Sequence, residues 1–482
     1  MSEAKLPLLL DADGQPRDRI VGFETEYGLQ CEGIIEGRKL KKIDNDDISE
    51  EIASMHYRTD HCQYQNDGDR QYVDVGNHPE LSTAEETSYL QAAYRLLRGH
   101  VKIKQDYARR TNTFLDEMYA EFGVPFNVAT NIFANTTDLE NNSWGSHANI
   151  LAPSNLPFDD YMTALMVHNV SRIVWAGAGH VVPHADLKGY DYHLSEKAQY
   201  IFTLYSSDTV KNRPIVNTRN VPYAAATRYR RIHDATGESI FNPHGNALRL
   251  GSTSVILRAC ELGVDFSDLE PDEPLRAIRN ISEDPSLRQL IRLKDGRYYR
   301  GTDLQLELAE RAFAAAERAN YLTEQDKRWG NNWITLVDDL RSDPQKAARR
   351  TDWVVKRNLV ERQVEAKQGE TDESPGLVAW HRDAEYHRIG PDEGTGMQLV
   401  RHGFYTDAPS EELIDNEMPL PETRAKVRAF ALRRLRLASL AYWGGTWEYV
   451  AAGEEHYHRY ALPEPYDTDP TQIETWLEQQ AA

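Results

Sequence analysis

Two short acidic segments near the N-terminus carry the residues best suited to do chemistry. The first, GFETEYG, spans 22–28, and the second, DRQYVDVGNHPE, spans 69–80. Alternate side chains of an extended strand share one face, so Glu24 and Glu26 are expected to project together between apolar neighbours. A hydrophobic core would normally begin here, so the acids predict a binding site instead.

The second segment supplies further oxygen ligands. Tyr72 and Asp74 alternate in the same way, and Glu80 follows a turn rich in glycine, asparagine and proline. Several carboxylates on one sheet face repel each other unless cations lie among them. Oxygen ligands with few sulfurs or imidazoles suit Mg²⁺ or Mn²⁺, and magnesium in turn suggests ATP.

The sequence contains no standard glycine loop for holding phosphates. It has neither GxxxxGK[ST] nor a complete GxGxxG motif. Metal ions and arginines must then hold the nucleotide, as in ligases that activate a carboxylate, and Arg70 and Arg219 are the candidates for neutralising the transferred phosphoryl group.

Composition excludes several other classes of protein. The 482 residues carry a formal net charge of −21, which disfavours a general nucleic-acid binder. The three cysteines are far apart and have no CxxC spacing, which is typical of a reducing cytoplasm. No apolar stretch approaches the length of a membrane span or a signal peptide.

The pattern of elements predicts an α+β fold. We expect an N-terminal extension over 1–19, a large catalytic domain over 20–410 and a small C-terminal domain over 411–482. Predicted helices cover 83–110, opened by a Thr83 cap, and 158–176, 246–262, 302–320 and 344–366. The arginines of the last helix, within 423–439, are interpreted either as a solvated face or as a local basic groove.

The chain resembles the Pup ligase family and its sister family, the Pup deamidase-depupylases, which are relatives of glutamine synthetase. The resemblance rests on GFETEYG, GDRQYVDVGNHPELSTAE, NTTDLENNSWGSHANIL, RPIVNTR, YRRIHDATGE, LRLGSTSVIL, TDWVVKR and LPEPYD, in this order. It implies a large domain like that of glutamine synthetase, with a concave antiparallel sheet flanked by helices, and a small C-terminal domain that completes the nucleotide site.

The resemblance also implies roles for single residues. Magnesium ligands are expected at Glu24, Tyr72 and Glu80, with Glu26 in the same cluster. Nucleotide contacts are expected at Arg70, Thr83 and Trp447, and the catalytic carboxylate is expected at Asp74. The implied partners are a small acidic disordered modifier, Pup or Pup-like, and proteins that present lysines.

The implied reaction is an ATP-dependent ligation. The glutamate of the modifier would be activated as an acyl phosphate and attacked by a lysine amine, and Asp74 would accept the proton of that amine. Two alternatives stay open: a deamidase or depupylase that uses the same aspartate for hydrolysis, and a non-catalytic homologue that binds the modifier. The DVGNHPE segment and the short interval between Glu26 and Asp74 favour the ligase.

Several positions depart from the family pattern, among them Ala148, Val221 and Tyr223. Ala148 stands at an acidic position, and Val221 and Tyr223 replace residues of the pattern N-T-R-D-E-P-H-A-D. These changes are expected to reshape the substrate groove or the phosphate clamp. His78, His147 and His233 could each be a metal ligand or a hydrogen-bonded structural residue.

Overall fold

The computed structural model describes residues 8–35, 48–52, 54, 64–74, 78–123, 126–138, 142–367, 373–438, 442–453 and 458–481. The strands are β1 Val21–Glu26, β2 Gly28–Ile35, β3 Arg70–Val73, β4 Pro79–Ser82, β5 Phe126–Phe133, β6 Ser146–Pro153, β7 His180–Pro183, β8 Tyr190–His193, β9 Thr203–Ser206, β10 Pro214–Asn217, β11 Tyr229–Asp234, β12 Leu290–Arg292, β13 Tyr298–Arg300, β14 Arg388–Gly390, β15 Tyr442–Gly445, β16 Tyr449–Gly453 and β17 His458–Ala461.

Helices account for most of the remaining regular structure. They are α1 Tyr89–Phe122, α2 Asp159–Ser171, α3 Ile173–Ala176, α4 Pro243–Glu261, α5 Pro274–Ser282, α6 Gly301–Arg318, α7 Glu324–Ser342, α8 Asp352–Lys367, α9 Pro375–His387, α10 Thr395–Arg401, α11 Glu411–Asp415, α12 Arg424–Leu437 and α13 Thr471–Ala481. Among the described residues, no helix has the length and apolar character that crossing a membrane requires.

A five-stranded sheet with the order β11-β6-β1-β4-β3 lies at the centre of the fold. Every neighbouring pair in it is antiparallel. Exposure alternates along β1, where Val21, Phe23 and Thr25 are buried and the residues between them are half-buried. Val21 and Phe23 contribute to the main apolar core together with Ile150 of β6. The other face of the sheet is therefore left for Glu24 and Glu26.

Helices cover the apolar face of this sheet. All nineteen residues of α4 are buried, and α4 packs against α1, α6 and α7. The predicted α+β fold, an antiparallel sheet flanked by helices, is confirmed. The helices at 159–176, 243–261 and 301–318 match the predictions closely, whereas α7 was not predicted. The helix predicted at 344–366 begins with a 3₁₀ turn and becomes α-helical only at Asp352.

The first long helix begins later than predicted. Its N-cap is Ser88, whose side chain accepts a hydrogen bond from the N–H of Gln91, and it ends at Gly123 in the left-handed conformation, with φ of +63°. Thr83 is not a helix cap, so that prediction was wrong. Its hydroxyl accepts a hydrogen bond from the N–H of Phe23, which ties the segment after β4 to β1.

The N-terminal segment is exposed at 10–15 and anchored on either side of this stretch. Within 8–19, Leu9 joins a small apolar cluster with Ile20. Arg19 is fully buried and forms an ion pair with Glu261 at 2.8 Å. The division of the chain at 20 and 411 stays a prediction.

The arginines of α12 contact other parts of the protein and form neither a simple solvent-exposed face nor an open basic groove. Arg424 and Arg428 are buried and both form ion pairs with Glu85. Arg433 and Arg436 donate to backbone oxygens of the segment before β3, at Asn66 and Tyr64. The helix therefore uses its arginines to join the C-terminal part of the chain to the sheet that carries the acids.

Candidate active site

Three carboxylates meet where β1 and β3 end and β4 begins. Oxygens of Glu26, Asp74 and Glu80 lie within 4.8 Å of one another. The register of the sheet places Glu26 opposite Glu80, and Asp74 follows the last residue of β3. The N–H of Gly145 donates to Glu26 Oε1 at 2.9 Å, and a Cβ at Gly145 would lie 2.4 Å from that oxygen, so a larger residue would displace the Glu26 side chain.

The electrostatics of Glu80 indicate a cation site. Glu80 is 4% exposed, and its burial raises its pKa well above the ordinary value; the negative charges of three neighbouring carboxylates raise it further. A divalent cation among these oxygens would offset that repulsion, and carboxylate oxygens are the ligands that Mg²⁺ prefers. The donor set therefore fits the predicted magnesium.

Tyr72 lies directly beside this cluster. Its hydroxyl donates to Glu80 Oε1 and lies 3.1 Å from Ser82 Oγ. Burial raises the pKa of Tyr72 well above its ordinary value, and the charge of Glu80 raises it further, so the phenol stays neutral. The guanidinium of Arg70 lies 4.6 Å from the centre of the Tyr72 ring, at the edge of the same sheet.

A second group of possible metal ligands lies two residues back along β1, on the same face as Glu26. Glu24, His147 and His233 bring ligand atoms within 4.8 Å of one another. Burial lowers the pKa of His233 to about 3, so its imidazole is neutral. Neutral imidazole is the form that binds a metal.

Asn149 fixes the orientation of this second group. Its amide nitrogen donates to Glu24 Oε1 at 3.0 Å, so its oxygen faces His233 Nδ1, 2.9 Å away. His233 must then donate from Nδ1, which leaves the lone pair of Nε2 free. The arrangement is that of an imidazole prepared to bind a cation.

Glu24 remains charged in this setting. Burial alone would raise the pKa of Glu24, but a hydrogen bond with His147 and the charge of Arg231 hold it below its ordinary value. Arg231 Nη1 lies 3.3 Å from Glu24 Oε1. The two acids of β1 thus differ in surroundings: Glu24 lies beside an arginine, whereas Glu26 lies beside further carboxylates.

A cleft lies beside Glu24. Its empty space, which includes the part open to solvent, is about 560 Å³. Phe23, Thr83, Tyr223, Arg231 and Trp447 contribute to its walls. The cleft is lined by both apolar and charged side chains, with Phe23 and Trp447 among the first and Glu24 and Arg231 among the second.

The position of Trp447 depends on Glu85. The Trp447 ring lies edge-on to Tyr64, with ring centres 5.3 Å apart, and the guanidinium of Arg428 lies 4.9 Å from its centre. Glu85 in turn fixes Arg428. Burial would raise the pKa of Glu85, but the positive charges of Arg428 and Arg424 lower it to about 2. One buried carboxylate thus connects the aromatic wall of the cleft to the sheet.

The structure brings together all but one of the predicted site residues. Those that lie in or beside the two ligand groups and the cleft are Glu24, Glu26, Arg70, Tyr72, Asp74, Glu80, Thr83 and Trp447. Arg219 is exposed, and its backbone N–H donates to Asn217 Oδ1 at 2.8 Å. Its role at the phosphates stays a prediction. The turn at 75–77, including Gly76 and Asn77, lies outside the described residues.

Four members of the site were missed or left open by the sequence analysis. Arg231 and Asn149 were not named, and His147 and His233 were left between two roles. The signal was present, because the stretches HAN and RIH place these residues at alternate positions of two strands. What the sequence did not reveal is the register that brings β6 and β11 beside β1.

The departures from the family pattern have unequal consequences. Ala148 is fully buried and belongs to the main core on the opposite face of the sheet, so it does not line the groove, and that expectation was wrong. Val221 is exposed. Tyr223 does line the nucleotide cleft, beside Arg231.

Comparisons with known proteins agree with this geometry. The sequence profile of the family described as "Pup-ligase protein" matches residues 19–451. A curated relative from Xylanimonas cellulosilytica, named "Pup--protein ligase", is 32% identical over 444 residues, which cover 88% of this chain and 91% of that protein.

Two solved structures share the fold. The structure of the ligase PafA in complex with the prokaryotic ubiquitin-like protein Pup has a TM-score of 0.80 and 24% identity, and the match covers 96% of this chain and 92% of that one. The structure of the Pup ligase PafA in complex with ADP has a TM-score of 0.72 and 25% identity, and the match covers 92% of this chain and 95% of that one. The preference for the ligase over the deamidase is confirmed by these relatives, and the chain belongs to the Pup ligase family.

Proposed function

We propose that this protein joins the C-terminal glutamate of Pup, or a Pup-like modifier, to lysines of substrate proteins with consumption of ATP. The observation that carries the proposal is the meeting of Glu26, Asp74 and Glu80 on the sheet face that also carries Glu24, which lines the neighbouring cleft. We place the reaction in the cytoplasm, whose reducing conditions suit a chain with three widely spaced cysteines and no CxxC motif.

The first step transfers a phosphoryl group from ATP to the γ-carboxylate of the modifier. It breaks the bond between the terminal phosphate and ADP and forms an acyl phosphate. Glu24, Glu26, Tyr72 and Glu80 are proposed to hold magnesium, with His147 and His233 completing the position at Glu24. Bound Mg²⁺ supplies charge neutralisation for the phosphate oxygens. Arg70 and Arg231 lie where they add positive charge beside the two ligand groups.

In the second step a lysine amine attacks the acyl carbon and inorganic phosphate leaves. A free lysine is almost entirely protonated at neutral pH, so a base must accept its proton. Asp74 is the exposed member of the three carboxylates, at the open end of the cluster where a protein lysine can approach. We assign it the role of general base.

The test is a conjugation assay with purified protein, ATP, magnesium, the modifier and a lysine-bearing substrate. We expect a conjugate of increased mass and one ADP per bond formed. Absence of conjugate and of ADP would refute the proposal. Release of ammonia or of free modifier without ADP would instead identify a hydrolase.

Asp74→Asn separates the catalytic role from metal binding. Conjugation should fall by at least about 100-fold, the usual contribution of a general base, while ATP affinity stays within roughly threefold of the wild type. Asp338→Asn, at an exposed aspartate on α7, is the matched control. Loss of ATP binding in Asp74→Asn would reassign Asp74 to the metal ligands.

A further inference from the structure

Tyr223 has an unusual backbone conformation in the wall of the nucleotide cleft. Its φ is +49°, in the left-handed region that bulky residues seldom occupy. Such a conformation costs free energy and persists where the surroundings enforce it, often at functional sites. The result here is that the Tyr223 ring faces Arg231, whose guanidinium lies 4.9 Å from the ring centre.

Arg231 has an unmet capacity to bind an anion. The residue is 9% exposed, and its Nη1 donates to Asn149 Oδ1 at 3.0 Å beside Glu24. Its Nε is buried and has no hydrogen-bond partner within the described part of the chain. A buried, unsatisfied donor of a charged group is costly unless a ligand completes it. The cleft that Arg231 lines is the place from which such a ligand can come.

The two residues form one unit in the wall of the cleft. Glu24 and Asn149 hold one edge of the guanidinium, and the Tyr223 ring covers its face. We propose that Tyr223 is a positioning residue that holds Arg231 against the polyphosphate of ATP. The inference rests on the proposed function only for the identity of the nucleotide.

A stacking role against the purine base is the competing explanation for Tyr223. The two roles differ in which part of the nucleotide loses affinity when the ring is removed. A residue that acts through Arg231 affects ligands that carry β- and γ-phosphates, whereas a base-stacking residue affects ATP, ADP and AMP equally.

The experiment measures the affinities of ATP, ADP and AMP by calorimetry on the full chain with magnesium and without modifier. Tyr223→Leu removes the ring and keeps an apolar side chain, and Tyr223→Asn removes it with a residue suited to the left-handed backbone. We expect both to weaken ATP and ADP binding roughly five- to thirtyfold, the size of a desolvated cation–π contact, with AMP changed less than about threefold. Tyr223→Phe should retain wild-type affinities within about threefold, because it retains the ring.

A double-mutant cycle with Arg231→Gln tests whether Tyr223 acts through Arg231. The double variant should bind ATP no more weakly than Arg231→Gln alone, since the ring then has nothing to position. Additive losses, or equal losses for all three nucleotides, would overturn the inference. Tyr298→Leu, at an exposed tyrosine of β13, is the control, and circular dichroism verifies that every variant is folded.

Failure of this inference is distinguishable from failure of the proposed function. A wild-type protein that forms no conjugate, but whose Tyr223 variants lose ATP and ADP selectively, would refute the ligase proposal and support the role of Tyr223. A protein that conjugates normally, and whose Tyr223→Leu variant binds ATP like the wild type, would support the ligase proposal and refute the role of Tyr223.

Discussion

Lys197 is a buried cation without a carboxylate partner, and its replacement gives a sharp prediction. The residue is 2% exposed, and its Nζ donates to the backbone oxygen of Ala235 at 3.3 Å. No carboxylate of the described residues lies within ion-pair distance of it. Burial lowers its pKa to about 8, and the charge of Arg213 acts in the same direction.

The cost of this arrangement follows from the pKa difference. A fall from 10.5 to about 8 corresponds to about 3 kcal/mol of lost stability while the lysine is protonated in both states. Between about pH 8 and pH 10.5 the unfolded chain binds more protons than the folded chain, so this contribution to stability rises with pH. Below pH 8 the full cost is present.

Lys197→Met keeps a long flexible stem and removes the charge. At pH 7 we expect the variant to be more stable by about 1–3 kcal/mol, allowing for the lost hydrogen bond and imperfect packing. Urea unfolding in EDTA at pH 7, 8 and 9 would measure the difference, with the exposed Lys327→Met as the control. The advantage should shrink at pH 9. A variant that is less stable at pH 7, or an advantage that does not change with pH, would refute the reasoning.

Three further changes test the site and its support. Glu80→Gln should raise the melting temperature in EDTA and reduce the stabilisation gained on adding magnesium, because it removes one of the repelling carboxylates; calorimetry with and without the metal measures both. Glu85→Gln should lower the free energy of unfolding by about 2–4 kcal/mol, since two buried arginines lose their charged partner. Urea unfolding measures this loss, with Glu324→Gln as the control variant. Asn149→Ala should weaken Mn²⁺ binding about 10- to 100-fold by releasing the His233 ring, as titration calorimetry would show.

Local alternation made part of the site predictable. A period of two in GFETEYG was enough to place Glu24 and Glu26 on one face, and the burial pattern of β1 confirms it. The same rule accounts for Ala148, which lies between two site residues and therefore points into the core. The prediction for Ala148 was wrong because it was taken from the family pattern and ignored the alternation of side chains along the strand.

Other features depended on contacts between distant parts of the chain. Thr83 suits a helix cap by residue type, but its hydroxyl is used by the N–H of Phe23, and Ser88 caps the helix instead. The arginines of α12 have a solvated pattern in sequence, yet Arg424 and Arg428 find a buried partner more than 330 positions earlier. Propensity and periodicity hold no information about such pairs.

The register of the central sheet links the stability of the fold to the position of the acids. Glu26 faces Glu80 and Glu24 faces Ser82 because β1 and β4 pair in one register. A slip of one residue in β1 would turn Phe23 and Thr25 toward the charged face and bury Glu24 and Glu26 in the apolar core. Burying two unpaired carboxylates costs several kcal/mol each, which far exceeds the repulsion they experience at the site. The charges that repel one another at the site therefore disfavour the shifted register. Reciprocal hydrogen bonds between the backbone of Phe23 and Thr83 stabilise the observed register.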